Sequence, residues 1–144
     1  DATSGLDVTV QAQVLDLLQR LVREKGAAAL FITRDIAITA HFCSRIAIIY
    51  AGEIVELAET AAFFLRPAHP YSIMLLAAFS HSPELRARWT RLPAAGETAP
   101  PGGCAFAPRC VRRQKRCYDE VPGSRPLAGG RHVRCHFPVE TAAA

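Results

Sequence analysis

A chain of 144 residues, half of them hydrophobic and with a formal net charge of +4, can bury one core and add a small satellite module. Its mean hydropathy is +0.12, and it has no uninterrupted apolar run of the roughly 18 residues that a membrane span requires, so a helical membrane span in this segment is not expected. Five cysteines are an odd count for a disulfide framework. The opening residues also lack a basic-then-apolar signal pattern, so a cytosolic setting with reduced thiols is expected.

The opening loop, Asp1-Ala2-Thr3-Ser4-Gly5-Leu6-Asp7, has no initiator Met, and the natural polypeptide is expected to start upstream. From Val8 to Lys25, Val14, Leu15, Leu18, Leu21 and Val22 recur at three- and four-residue spacing among polar residues, which predicts an amphipathic helix. Asp7 is placed to cap its start and Gly26 to end it. Ala27 to Thr33 is a short apolar run without alternation, the pattern of a strand buried on both faces of a parallel sheet. Asp35 to Cys43 reads as a second helix. Arg45 to Tyr50 and Glu53 to Leu57 are β-rich and broken by Ala51-Gly52, a hairpin signal.

Two short helices are expected at Glu59 to Leu65 and Tyr71 to Phe79, separated by Arg66-Pro67-Ala68-His69-Pro70. His69 and Tyr71 are read as parts of a packed turn. Residues 82–103 are rich in Pro, Ala, Gly and charge and read as a tether with little core of its own. The element order predicts an α/β fold whose sheet extends beyond this segment. Ligands of such sheets bind past the carboxyl ends of the strands, here at Thr33-Arg34-Asp35.

Cys104, Cys110, Cys117 and Cys135 lie in a stretch with eight Lys/Arg and two acidic residues. Thiolates gathered that closely need a cationic core, so the segment reads as a metal or iron-sulfur site. The gaps of five, six and seventeen residues are unlike the paired two-residue gaps of zinc ribbons, which makes zinc the weaker choice. Arg109, Arg112, Arg113, Lys115, Arg116, Arg125, Arg131 and Arg134 are expected to offset the negative charge of a four-iron cluster. His132 and His136 are reserve ligands, and Cys43 reads as a small buried hydrophobe. Two other readings stay open: unliganded or oxidised cysteines in a disordered tail, and a basic zinc module on nucleic acid. Few aromatics are available for base stacking, so no nucleic-acid partner is expected. A third reading is a non-catalytic assembly domain.

Several stretches together carry a resemblance: Thr3-Ser4-Gly5-Leu6-Asp7 with Val8-Thr9-Val10-Gln11-Ala12-Gln13, then Leu30-Phe31-Ile32-Thr33-Arg34-Asp35, then Ile49-Tyr50-Ala51-Gly52-Glu53-Ile54-Val55-Glu56. In this order they resemble the second half of an ABC transporter nucleotide-binding domain, with its P-loop NTPase-like sheet. His69-Pro70-Tyr71-Ser72 and Gly103-Cys104-Ala105-Phe106-Ala107-Pro108-Arg109-Cys110 narrow the resemblance to ATP-binding subunits of oligopeptide, dipeptide and nickel importers. It runs from residue 1 to about residue 138. It implies three parts: the carboxyl-terminal half of a nucleotide-binding domain at 1–66, a helical segment and linker at 67–103, and a cysteine-rich tail at 104–144.

The resemblance further implies ATP and Mg as cofactors, with Ser4, Gly5 and Asp7 in a D-loop that reaches across a dimer, and a 4Fe-4S cluster on the four tail cysteines. Permease subunits, a second ATP-binding subunit and, indirectly, an extracytoplasmic solute-binding protein are the implied partners. The implied location is the cytoplasmic face of the membrane, peripherally bound. The phosphate-binding loop, signature segment and Walker B aspartate of the family would precede Asp1, so this segment alone is not expected to hydrolyse ATP. Asp1 stands where the family has the glutamate that polarises the attacking water, one methylene short. Arg34 stands where the family has its switch histidine, and it cannot exchange a proton as an imidazole does. Asp1 and Arg34 together suggest a slow or degenerate site. On the residues alone, Asp7 is equally a helix cap and Arg34 a surface residue.

Overall fold

The computed structural model describes residues 5, 7–79, 82–94 and 96–140, so Asp1 and Ser4 lie outside the described residues. The chain divides into two compact units, residues 1–44 and 45–144.

The first unit is helical. Helix α1, Val8–Lys25, starts where the Asp7 carboxylate accepts the Val10 N–H at 2.8 Å, and it stops at Gly26. Gly26 takes φ 59°, and its own N–H and that of Ala27 satisfy the carbonyls of Arg23 and Val22. Of the expected apolar stripe, Leu15 is buried, whereas Leu18 and Leu21 are 46% and 43% exposed. Helix α2, Ile36–Phe42, buries Ile36 and Ile38 and is capped by Asp35, which accepts from Ala37 and Ile38.

The buried strand expected at Ala27 to Thr33 is not formed. The segment has no regular structure, and Leu30 and Ile32 are 89% and 75% exposed. An extended segment is held only by ladder bonds to neighbours, and among the described residues every strand lies in the second unit. The apolar run records a preference for burial that this unit does not satisfy.

The second unit is built on a four-stranded antiparallel sheet of order β1-β2-β4-β3: β1 Arg45–Tyr50, β2 Glu53–Glu59, β3 Ser124–Leu127 and β4 Arg131–Arg134. Ala51 at φ 49° and Gly52 at φ 80° make the two-residue turn whose handedness matches strand twist. A bulge between Ile48 and Ile49 lets Ile48 pair with Glu56 and Ile49 with Ile54. Ile46, Ile48, Val55, Ala58 and Val133 are buried with Phe63 of α3, Thr60–Leu65.

Helix α4, Pro70–Phe79, and α5, Pro83–Trp89, follow and contact each other. Met74 of α4, Phe106 and Cys110 form a second buried cluster, flanked by Tyr50, Tyr71, Trp89 and Cys104. The stretch read as a tether is tied down. Arg91 donates to the Pro108 carbonyl and pairs with Glu97 at 2.9 Å, and Glu97 also accepts from the Ala94 N–H and the Tyr118 hydroxyl. A 3-10 turn at Ala107–Arg109 and helix α6, Arg116–Asp119, carry the middle of the cysteine segment.

Candidate functional site

Of the residues expected around a nucleotide, Gly5 has φ 107°, a backbone open chiefly to glycine, and Asp7 spends its carboxylate on the α1 cap. Arg34 is exposed on a bend between the capping residues of α2, where the Thr33 hydroxyl accepts the Asp35 N–H at 3.0 Å. The switch candidate therefore projects from a locally fixed turn.

The four tail cysteines come together. Cys104, Cys110, Cys117 and Cys135 line one apolar cavity with His69, Phe106 and His136 among its walls. None of the five cysteines is in a disulfide. The fold places them by backbone devices. The Cys104 N–H donates to the Cys117 carbonyl at 2.8 Å, and Gly103 lets the two segments meet. A Cβ on Gly103 would lie 2.6 Å from that carbonyl oxygen and 2.7 Å from the Tyr118 oxygen. Cys110 closes the 3-10 turn, Cys117 sits on α6, and Cys135 follows β4.

At Cys104, Cys110 and Cys135 burial is the largest influence on the thiol. It raises the Cys104 pKa, pushes Cys110 up to about 11 and Cys135 up to about 12, with repulsion from neighbouring sulfurs adding to the effect. Backbone hydrogen bonds work in the opposite direction: from Phe106 and Ala107 to Cys104, from Arg112 to Cys110 and from Phe137 to Cys135. Without a cation, thiols this buried stay protonated and unreactive at neutral pH, and a bound cation would ionise them with release of protons. Among the described residues, no three His, Cys, Asp or Glu side chains are grouped closely enough to hold a metal ion.

The charge balance differs from the sequence expectation. Arg112 lowers the Cys110 pKa and Arg116 feels Cys117, but most of the basic residues are engaged elsewhere. Arg116 pairs with Glu120, Lys115 with Asp119, Arg125 with Glu140 and Arg134 with Glu53, while Arg131 donates to the carbonyls of Arg66 and Ala128. Backbone N–H groups beside the sulfurs supply local positive potential, which a sequence cannot display. Neither reserve ligand is offered freely to the cysteine cavity. His132 lies in a separate groove with Ile54, Leu57, Ser124 and Arg134, and His136 is bonded to the Glu120 carbonyl at 2.9 Å. Cys43 is half-buried at the end of α2 in the first unit, with its pKa raised by burial.

Two residues near the cavity make buried contacts beyond the sequence reading, which gave Glu56 no role of its own and read His69 only as part of a packed turn. Glu56, 1% exposed in the middle of β2, accepts the N–H groups of Ala68 and His69, both at 2.8 Å. An acid midway along the strand, between Val55 and Leu57 and away from the glutamates at its two ends, was the available signal. His69, equally buried, has a pKa lowered to about 4 by burial, so the ring is neutral. Its Nδ1 accepts the Tyr71 N–H at 3.0 Å, which leaves the hydrogen on Nε2. Tyr50 packs edge-on against both Tyr71 and Phe106, which are tilted toward each other, at centroid distances of 4.7 to 5.4 Å.

Residues 55–117 match the family described as "Oligopeptide/dipeptide transporter, C-terminal region". A Sinorhizobium fredii protein called "Probable peptide ABC transporter ATP-binding protein" is 45% identical over 148 residues, covering all of the chain and 42% of its own length. A dipeptide transport ATP-binding protein of Escherichia coli is 38% identical over 144 residues, covering 99% of the chain and 44% of its own length. The chain thus spans less than half the length of these relatives.

Proposed function

We propose that the chain is the carboxyl-terminal part of an ATP-binding subunit that powers peptide import, on its similarity over residues 55–117 to the oligopeptide/dipeptide transporter C-terminal region and over its whole length to peptide and dipeptide transport ATP-binding proteins. The observation that carries this reading is the alignment of the whole chain, through both units, with a relative 45% identical to it. In the complete subunit ATP and Mg draw two nucleotide-binding halves together, and hydrolysis lets them part, working a membrane-embedded permease. No helix among the described residues is long and apolar enough to cross a membrane, which agrees with a peripheral subunit on the cytoplasmic side.

Within the nucleotide site, Gly5 and Asp7 belong to the loop that faces the partner subunit, and Asp1 and Ser4, which the resemblance assigns to the same site, lie outside the described residues. Arg34 faces the terminal phosphate as a fixed cation. A guanidinium binds phosphate but does not shuttle a proton, so this site binds ATP well and turns it over slowly. The experiment is ATP-dependent accumulation of a labelled dipeptide or oligopeptide in proteoliposomes holding the full-length subunit and its permease. Accumulation that stops when the subunit is omitted supports the reading; ATP turnover with no effect on peptide movement overturns it.

The cysteine segment holds a structural 4Fe-4S cluster in this reading. The donor set supports it: four cysteines, Cys110 and Cys117 buried and Cys104 and Cys135 half-buried, line one cavity, and backbone hydrogen bonds favour the thiolate at three of them. Zinc is the weaker choice on spacing, because gaps of five, six and seventeen residues are unlike the paired two-residue gaps of zinc ribbons. When bound, the cluster supplies a cross-link between α6, the 3-10 turn and the end of β4. A nucleic-acid role is disfavoured because so many of the arginines are already paired with carboxylates or carbonyls.

A further inference from the structure

Three of the four cysteines lie within a short stretch that orders itself, through the bond from Cys104 to Cys117 and the 3-10 turn before Cys110. The fourth, Cys135, arrives from β4 and must be registered against them by something else. The backbone on either side of it is tied to one turn outside the cysteine segment. Val133, two residues before, pairs in register with Glu56. Arg134, one residue before, presents its backbone to the His69 ring, where it favours the protonated ring as a carbonyl does. Val139, four residues after, donates its N–H to the Ala68 carbonyl at 2.8 Å. Glu56 in turn fixes that turn by accepting from both Ala68 and His69.

We propose that the Ala68-His69-Pro70 turn, locked by the Glu56 carboxylate, is the positioning element for the Cys135 thiol, and that His69 serves it as a hydrogen-bond donor to the neighbouring backbone and not as a ligand. This rests on the four-thiol reading above. His69 suits the role because its Nδ1 is committed to the first turn of α4, which leaves Nε2–H as the donor on the side of the Arg134 backbone. The ring also packs on Phe106, at a centroid distance of 5.8 Å and two residues from Cys104, so one side chain contacts both approaches to the cavity. A carboxylate and an imidazole buried this deeply are costly unless fully bonded. Here their bonding is spent on the backbone that brings in Cys135.

The test compares wild type with His69→Phe, which keeps bulk and loses both polar contacts, and His69→Gln, which keeps a donor and an acceptor. It uses the full-length subunit in iron-free form and after reconstitution with ferrous iron and sulfide. Alkylation of each cysteine by iodoacetamide is followed by mass spectrometry in the iron-free protein, and bleaching by a chelator in the reconstituted one. His69→Phe should raise the Cys135 alkylation rate about tenfold, the factor one net buried hydrogen bond supplies, leave Cys104 and Cys117 within about twofold, and speed bleaching. His69→Gln should recover most of the wild-type behaviour. Unchanged Cys135 reactivity in His69→Phe, or an equal rise at all four thiols, overturns the proposal. Should wild type take up no iron, the cluster reading fails, while the alkylation pattern still decides the role of His69.

Discussion

Removing the Glu56 carboxylate is the most informative single perturbation of the second unit. Glu56 is 1% exposed and accepts two backbone N–H groups at 2.8 Å, from Ala68 and His69. Glu56→Ala leaves both donors buried without a partner. Each orphan costs about 1–3 kcal/mol, and relief from holding a buried charge returns part of that sum, so the net loss should be about 3 kcal/mol. Glu56→Gln keeps one acceptor oxygen and turns an NH2 toward the second donor, so about 2 kcal/mol should be lost. Trp89, the sole tryptophan, packs against the cluster of Met74, Phe106 and Cys110, and its fluorescence reports this unit during urea unfolding of the chain. Amide exchange gives the local view: protection at Ala68 and His69 should fall about a hundredfold in Glu56→Ala, the equivalent of about 3 kcal/mol. Both variants unfolding within about 0.5 kcal/mol of wild type, with exchange unchanged, would refute the reasoning.

Gly103→Ala drives a methyl into the Cys117 and Tyr118 carbonyls, which flexible side chains cannot relieve, so about 2 kcal/mol of stability should be lost in urea melts, with faster iron release. Glu97 has its pKa lowered to about 2, first by the Ala94 N–H and then by Arg91. As a depressed acid it stabilises the fold above its ordinary value of 4.5, and that contribution is lost as pH falls from 4.5 toward 2. Trp89 fluorescence in acid titrations should therefore show a transition in that window that Glu97→Gln flattens; an identical titration of the variant contradicts it. Arg34→His should leave melting unchanged, because Arg34 is exposed, and raise ATP turnover of the full-length subunit at least about tenfold by restoring a group able to exchange a proton.

The local elements were legible where their signal is local. Asp7, Gly26 and Asp35 mark helix ends because a short acid or a glycine there satisfies backbone groups within a few residues. Ala51-Gly52 marks the hairpin because its turn requires positive φ. What failed were inferences that need a distant partner. The apolar run at Ala27 to Thr33 has the composition of a buried strand, yet strand formation depends on neighbours that composition does not contain. That the four cysteines face one cavity was legible from their types and crowding, although among the described residues they are not grouped closely enough to hold a metal ion, and the source of their charge balance was not legible. Arginine counts suggested guanidinium groups, whereas the structure commits most of those and sets backbone N–H groups against the sulfurs. Glu56 and Gly103 were passed over because each acts through a backbone contact with residues far along the chain.

The measurement that bears most directly on the cysteine site is metal and acid-labile sulfide analysis of the anaerobically purified full-length subunit, with its visible spectrum, alongside the four single Cys→Ser variants. About four irons and four sulfides per chain with a broad visible band, all lost in each variant at Cys104, Cys110, Cys117 or Cys135 and retained in Cys43→Ser, is the predicted result. One zinc per chain with no colour, or iron content indifferent to any of the four substitutions, contradicts it.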